Sequence, residues 1–260
     1  MNPFEEARGK LREWALLSLY IMLYLNAGAA LPLRYLFSGR IYVLKAILFD
    51  MDGVLIDTER IYIMLQKRMG EAMGVQFTND DLKIYMGVAT DDMWADLKEK
   101  FDLPRDAAEL AREETGLMDE HYARGEILPF TESISLMKEC AANGLKVAVA
   151  TSSSEDNASN VIRRLAIGEY IGAVSTLCRA GKSKPAPDIF LLAAKMLGVR
   201  PSECVVIEDS QSGVQAAKNA GMAAIGLAHE AYGVDLSEAD VVVKSCGALS
   251  IEKLREIAGE

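Results

Sequence analysis

At 260 residues the chain is long enough to bury one sizeable core, with room for a smaller second domain. Half of the residues are hydrophobic and a quarter charged, as in ordinary globular proteins. A net charge of −10, with no run rich in Lys or Arg, argues against a nucleic-acid partner, and an anionic small molecule would need a cation or a local positive pocket.

Residues 14–32, WALLSLYIMLYLNAGAALP, carry no charge and approach the length of a membrane span. Ala27-Gly28-Ala29 is like a signal-peptidase site, but Glu5, Glu6 and Glu13 stand beside Arg8, Lys10 and Arg12, a poor positive leader. Three readings stay open: membrane attachment or export, a buried or interfacial helix, and an extension upstream of a domain that begins near Leu44. Membrane contact, on the first reading, is confined to residues 14–33.

Residues 45–49 are a short apolar run of the kind found in buried parallel strands. From Thr58 to about Gly125 the pattern turns helical. Ile61, Leu65, Met69 and Met73 recur every four residues, and further helices are predicted over 91–101 and 106–124. Beyond Pro129, strands and helices alternate. The spacing predicts a helix over 132–142 stopped by Asn143-Gly144, a strand over 145–150, and a helix opened by a capping box of Ser152 and Glu155. A helix over 185–197 with prolines in its first turn follows, then a strand over 205–207, a helix over 212–219 and strands over 223–227 and 240–243. Such alternation predicts an α/β fold, a doubly wound parallel sheet with an all-helical domain inserted after the first strand. The expected division is 44–57 and 128–260 for the α/β core, 58–127 for the helical insert and 1–43 for the apolar extension.

In an open parallel sheet, ligands sit outside the carboxyl ends of the strands. Four such ends carry polar groups: Asp50-Met51-Asp52-Gly53, Thr151-Ser152, Lys184 in GKSKPAPD just before a helix, and Glu208-Asp209-Ser210. Crowded carboxylates favour a hard divalent cation, and Mg²⁺ takes one or two carboxylates together with waters and substrate phosphate. A carboxylate can then attack phosphorus, a second can act as acid and base, and lysine and hydroxyl donors can hold the phosphoryl oxygens. Singly, each element has a plainer reading: a solvated turn for the two aspartates, a surface position for Lys184, a cap for Thr151, a helix start for Glu208-Asp209-Ser210. The ordered set at successive strand ends points to phosphoryl transfer.

Taken together, DMDGVLIDTE, VAVATSS, the lysine of KSKPAPDIF and VIEDSQSG resemble the four motifs of the haloacid dehalogenase superfamily, over about residues 44–243. EDSQSG with KPAPDIF is similar to the beta-phosphoglucomutase-like branch, which includes sugar-phosphate phosphatases. The resemblance implies a Rossmann-like core with the helical insert as a cap, and Mg²⁺ as cofactor. By position it implies Asp50 as nucleophile and metal ligand, and Asp52 as acid and base whose backbone carbonyl binds the metal. Thr151 and Lys184 hold the phosphoryl group, and Asp209 with Glu208 completes the metal site. Substrate contacts are implied at Thr58, Gly87, Val88 and Ser152.

Dehalogenases of this superfamily lack an acid at the position of Asp52, so Asp52 favours phosphate esters. Mutases carry a histidine where Tyr62 stands, a basic residue near Thr90 and a lysine near Met118, so these departures favour hydrolysis. A phosphonate hydrolase would need a cap lysine, with Lys67 and Lys83 as candidates. The expectation is a Mg²⁺-dependent phosphatase of a small phosphorylated metabolite, a sugar phosphate. The alternatives are a hexose-phosphate mutase and a catalytically idle regulatory module. His121 and His229 receive no catalytic role. Cys140, Cys178, Cys204 and Cys246 are scattered, without a CxxC pair, so free thiols in a reducing, cytoplasmic compartment are expected. A monomer or weak homo-oligomer is expected.

Overall fold

The apolar run after Leu44 becomes β1 (Ala46–Phe49), whose four side chains are all buried. In the computed structural model, which describes residues 43–85, 88–229 and 233–260, β1 is a central strand of a six-stranded sheet. The apolar stretch at 14–32 and Gly87 lie outside the described residues. Residues 44–258 form one compact unit. Among the described residues no helix is long and apolar enough to cross a membrane.

Beyond β1 the chain runs through β2 (Ile56–Asp57), α1 (Glu59–Ala72), α2 (Asn79–Leu82), α3 (Thr90–Phe101) and α4 (Ala107–Arg124). It returns through β3 (Leu128–Pro129), which pairs antiparallel with β2 as a two-stranded ribbon. The rest alternates: α5 (Thr131–Ala142), β4 (Lys146–Thr151), α6 (Glu155–Arg164), β5 (Ala173–Thr176), α7 (Leu177–Ala180), α8 (Asp188–Leu197), β6 (Cys204–Glu208), α9 (Gln211–Asn219), β7 (Ala223–Leu227), β8 (Val241–Val243) and α10 (Ile251–Ala258). The sheet order is β5-β4-β1-β6-β7-β8, with every pairing parallel. The chain first moves outward from β1 through β4 to β5, then comes back to place β6 on the other side of β1. That reversal opens a crevice at the carboxyl ends of β1, β4 and β6.

Alternation along the strands divides the core. Ile47, Phe49, Val147, Val149, Val205 and Ile207 face one side, under α5, α6 and α10. Ala46, Leu48, Ala148, Ala150 and Val206 face the other, where the smaller side chains receive α8 and α9. The insert has its own cluster, built on Met69, Phe77, Trp94, Leu97 and Leu110.

Three sequence expectations shift. Helix α8 begins at Asp188 rather than 185, because each residue before a proline is driven out of the helical region and Pro185 and Pro187 follow one another closely. The helix after β4 is capped by Ser154, whose hydroxyl accepts from the Asn157 amide, rather than by Ser152. Strand β5 was not predicted, because AVST is too short and mixed to show a period. Cys140, Cys204 and Cys246 are buried free thiols and Cys178 is an exposed one.

One polar residue sits inside the insert. Glu114 is fully buried, and its carboxylate accepts from Gln66 Nε2 at 2.8 Å and Trp94 Nε1 at 2.7 Å. Burial pushes its carboxyl up to about 7 against the two donors that pull it down. The folded chain therefore keeps a proton that the unfolded chain releases near pH 4.5, and its stability must fall as pH rises from 4.5 through 7. Relative to Glu114→Gln, the wild type should lose about 3 kcal/mol at most over that window, read from urea midpoints across pH; a constant difference would contradict the burial.

Candidate active site

β1 ends into a tight loop that turns the chain before β2. Leu55 and Ile56 amides return to the Met51 carbonyl at 2.8 and 3.1 Å, and the Gly53 amide donates to the Ile56 carbonyl at 2.8 Å. Gly53 has φ +74°, and a Cβ there would fall 1.8 Å from Asp209 Oδ2. Glycine is thus required twice over, for the left-handed turn and for the close approach of Asp209. Gly213 serves the neighbouring acid in the same way, since its Cβ would meet the Glu208 carboxyl carbon at 1.9 Å.

Asp50, Lys184, Glu208 and Asp209 converge at the ends of β1 and β6. Lys184 Nζ donates to Asp50 Oδ1 at 2.5 Å and to Glu208 Oε1, and lies 5.2 Å from the centre of the Phe190 ring. Glu208 Oε2 accepts from the Ser210 amide at 3.0 Å and the Ser210 hydroxyl at 2.9 Å. Burial works against the Lys184 ammonium, but the Asp50 and Glu208 carboxylates outweigh it and hold the group above its ordinary value. Burial, followed by neighbouring negative charge, pushes Asp209 well above the usual carboxylate range. Burial does the same to Asp50, with Lys184 opposing and Glu208 and Asp52 assisting.

Asp52 lies two residues beyond Asp50 and faces different partners. Oδ2 accepts from Ser153 Oγ at 2.7 Å and Thr151 Oγ1 at 3.3 Å, and Oδ1 accepts from the Tyr122 hydroxyl of α4. Thr151 is fully buried and its oxygen accepts the Ser153 amide at 3.0 Å. A cavity of about 680 Å³ opens above this group, with Asp52, Lys184, Asp209 and Ser210 in its floor and α1, α3 and α4 in its roof. Ser152 and Val88 line it. Thr58 does not: it is fully buried, its hydroxyl lacks a hydrogen-bond partner, and it stands at the start of α1. Gly87, expected beside Val88, is outside the described residues.

Sequence reasoning missed Tyr122 and Ser153, and placed Ser210 at a strand end without giving it a partner. Ser153 is one of three consecutive serines, and nothing in the run distinguishes it from Ser152. Tyr122 lies one helical turn after Met118, so the common face of these two was visible, but not the acid it meets. His229, which had no assigned role, places Nε2 2.6 Å from the Gly53 carbonyl and stacks on Phe130, centroids 5.0 Å apart. Lys67 and Lys83 are outside the cavity lining and engage Asn79 and Asp80.

Among the described residues, no three His, Cys, Asp or Glu side chains form a ready metal cage. The donor set nevertheless fits Mg²⁺, which needs one or two carboxylates and fills its remaining positions with waters and phosphate oxygens. Asp50, Glu208 and Asp209 are all buried around one ammonium, an excess of negative charge that a cation would offset. Asp50 and Asp209 are the fitting pair; Glu208 has both oxygens engaged by Lys184 and Ser210.

Removing the ammonium would leave Asp50 and Glu208 buried without a counter-charge. In chelator-treated buffer at neutral pH, Lys184→Met should lower stability by about 3–5 kcal/mol. Urea unfolding of the variant beside the wild type measures this; an unchanged midpoint would show that the lysine's charge is not what matters.

Residues 47–227 match the family model described as haloacid dehalogenase-like hydrolase. The phosphorylated carbohydrates phosphatase of Thermotoga maritima is 33% identical over 224 residues, which cover 82% of this chain and 96% of the relative. Beta-phosphoglucomutase of Bacillus subtilis is 29% identical over 221 residues, covering 82% and 95%. Among solved structures, CbbY from Rhodobacter sphaeroides in complex with phosphate superposes with a TM-score of 0.68 at 26% identity, covering 82% of this chain and 99% of that one. With the family model matched across residues 47–227 and a relative 33% identical over nearly its whole length, the chain belongs to the haloacid dehalogenase-like hydrolase family.

Proposed function

We propose that the protein hydrolyses the phosphate monoester of a small metabolite, a sugar phosphate, through a phosphoaspartate on Asp50, with Mg²⁺ as cofactor. The observation that carries this reading is Asp52, a second carboxylate in the cavity floor, held by hydroxyls from the core and from the insert. An ester's leaving alkoxide needs a proton, and Asp52 is placed to supply it. The match to a carbohydrate phosphatase supports the same substrate class.

In the first step an Asp50 oxygen attacks phosphorus as the ester P–O bond breaks, and Asp52 gives its proton to the departing oxygen. In the second, Asp52 takes a proton from water while the water oxygen attacks phosphorus. The acyl-phosphate P–O bond then breaks, releasing inorganic phosphate and restoring Asp50. Lys184 holds Asp50 in line and offsets phosphoryl charge, and Thr151 and Ser152 bound the phosphoryl site. Mg²⁺ held by Asp50, Asp209 and the Asp52 carbonyl would neutralise the clustered carboxylates and the phosphate together. Glu208 anchors Lys184 and Ser210 behind them.

A mutase is the second reading, because beta-phosphoglucomutase is among the relatives. Against it, Tyr62, Thr90 and Met118 line the cavity at the positions where the mutases carry basic residues. Isomerisation of beta-glucose 1-phosphate in the presence of a bisphosphate activator, without free phosphate, would favour it.

Asp50→Asn should reduce phosphate release from a panel of sugar phosphates by at least about 1,000-fold while leaving the circular dichroism spectrum unchanged. Chelation should silence the wild type reversibly. Turnover retained by the variant would overturn the assignment of Asp50.

A further inference from the structure

The cavity over Asp52 has unlike walls. Its floor carries the Lys184 ammonium, whereas the roof and rim carry four carboxyl groups, Glu59, Asp91, Glu114 and Asp119, against one guanidinium, Arg112. Among the described residues none of the four acids is ion-paired. Glu114 is held by the neutral donors Gln66 and Trp94, and Asp119 accepts from Asn157 Nδ2 at 2.8 Å. Arg112 is exposed, while Glu114 is fully buried behind the wall. A substrate held by its phosphate at Lys184 must lay its remaining body against this acidic roof. Burial pushes Glu59 up to about 7, so at neutral pH its carboxyl can donate a hydrogen bond to a hydroxyl or accept one from it. Asp91 and Asp119 by themselves already outnumber Arg112. Tyr62, Gln66 and Thr115 add neutral polar groups, and the volume of about 680 Å³ suits a body of sugar or nucleoside size.

We infer that this cavity selects phosphate monoesters whose leaving group is uncharged and hydroxyl-bearing, and rejects those with a second phosphate or a carboxylate on the leaving group. The inference rests on the hydrolase reading of Asp50 and Asp52. Its physical basis is that a second anion in the roof would lose its hydration and meet like charge with one exposed cation in compensation.

Two matched pairs test it on the full chain with Mg²⁺: fructose 1-phosphate against fructose 1,6-bisphosphate, and glycerol 3-phosphate against 3-phosphoglycerate. The neutral member of each pair should have the higher kcat/KM, by at least about 10-fold. Asp119→Asn, which keeps the carbonyl that accepts from Asn157, and Glu59→Gln should each narrow the ratio several-fold by raising turnover of the charged member. A general loss of folded protein would lower both members equally and leave the ratio unmoved. Equal or better turnover of the charged members, or ratios unchanged in both variants, overturns the selection while leaving the hydrolase reading intact. No phosphate from any of the four esters, nor from a wider sugar-phosphate panel, overturns the hydrolase reading and the selection with it.

Discussion

Three buried carboxylates share one buried ammonium at the carboxyl ends of β1 and β6, and much of the surrounding architecture exists to make that tolerable. Lys184 bridges Asp50 and Glu208, Ser210 holds the far oxygen of Glu208, and Gly53 and Gly213, which lack a Cβ, leave room for Asp209 and Glu208 to approach. Taking such charges out of water costs several kcal/mol per ion unless each is paired or hydrogen-bonded. The residual negative charge is what a divalent cation and a phosphate would complete together, so the arrangement that is awkward for folding is matched to the ligand.

Asp52 occupies the seam between the sheet and the helical insert. Thr151 and Ser153 reach it from the end of β4, and Tyr122 reaches it from α4, so the acid has partners from both sides of the cavity. The insert connects to the core through the β2–β3 ribbon, with Phe130 hydrogen-bonded through its amide to the Leu55 carbonyl and stacked on His229. His229 also contacts the Gly53 carbonyl, which links the ribbon to the loop that carries Asp50 and Asp52. Placement of the insert and placement of the acid are therefore connected through short contacts.

The roof of the cavity differs from its floor in kind. The floor is set by strand ends and their loops, where spacing in sequence translates directly into position. The roof is assembled from helices whose polar residues, Glu114 above all, are committed to an internal network as well as to the cavity. The Glu114 carboxyl, buried among Trp94 and Gln66, ties α1, α3 and α4 together from within, while Asp91 and Asp119 carry the charge at the cavity.

Much of this was legible along the chain. The apolar runs and their alternation with helices predicted a doubly wound sheet, because a parallel strand buried on both faces needs an uninterrupted apolar stretch. Asp50, Asp52, Lys184 and Asp209 were legible because each stands where a strand ends or a helix is about to begin, and side chains there must face the crevice. The strand order, with β1 between β4 and β6, was not legible, since only pairing in space brings Phe49 beside Val149 and Ile207. Nor were Tyr122, Ser153 and the burial of Thr58, because the direction of a side chain depends on the helix rotation and loop path that packing selects. The sequence by itself determined the kinds of group at the strand ends and hence the chemistry they suit. Tertiary structure alone decided which hydroxyls hold Asp52 and that the cavity's roof is acidic, because both depend on how α4 and α1 lie over the sheet.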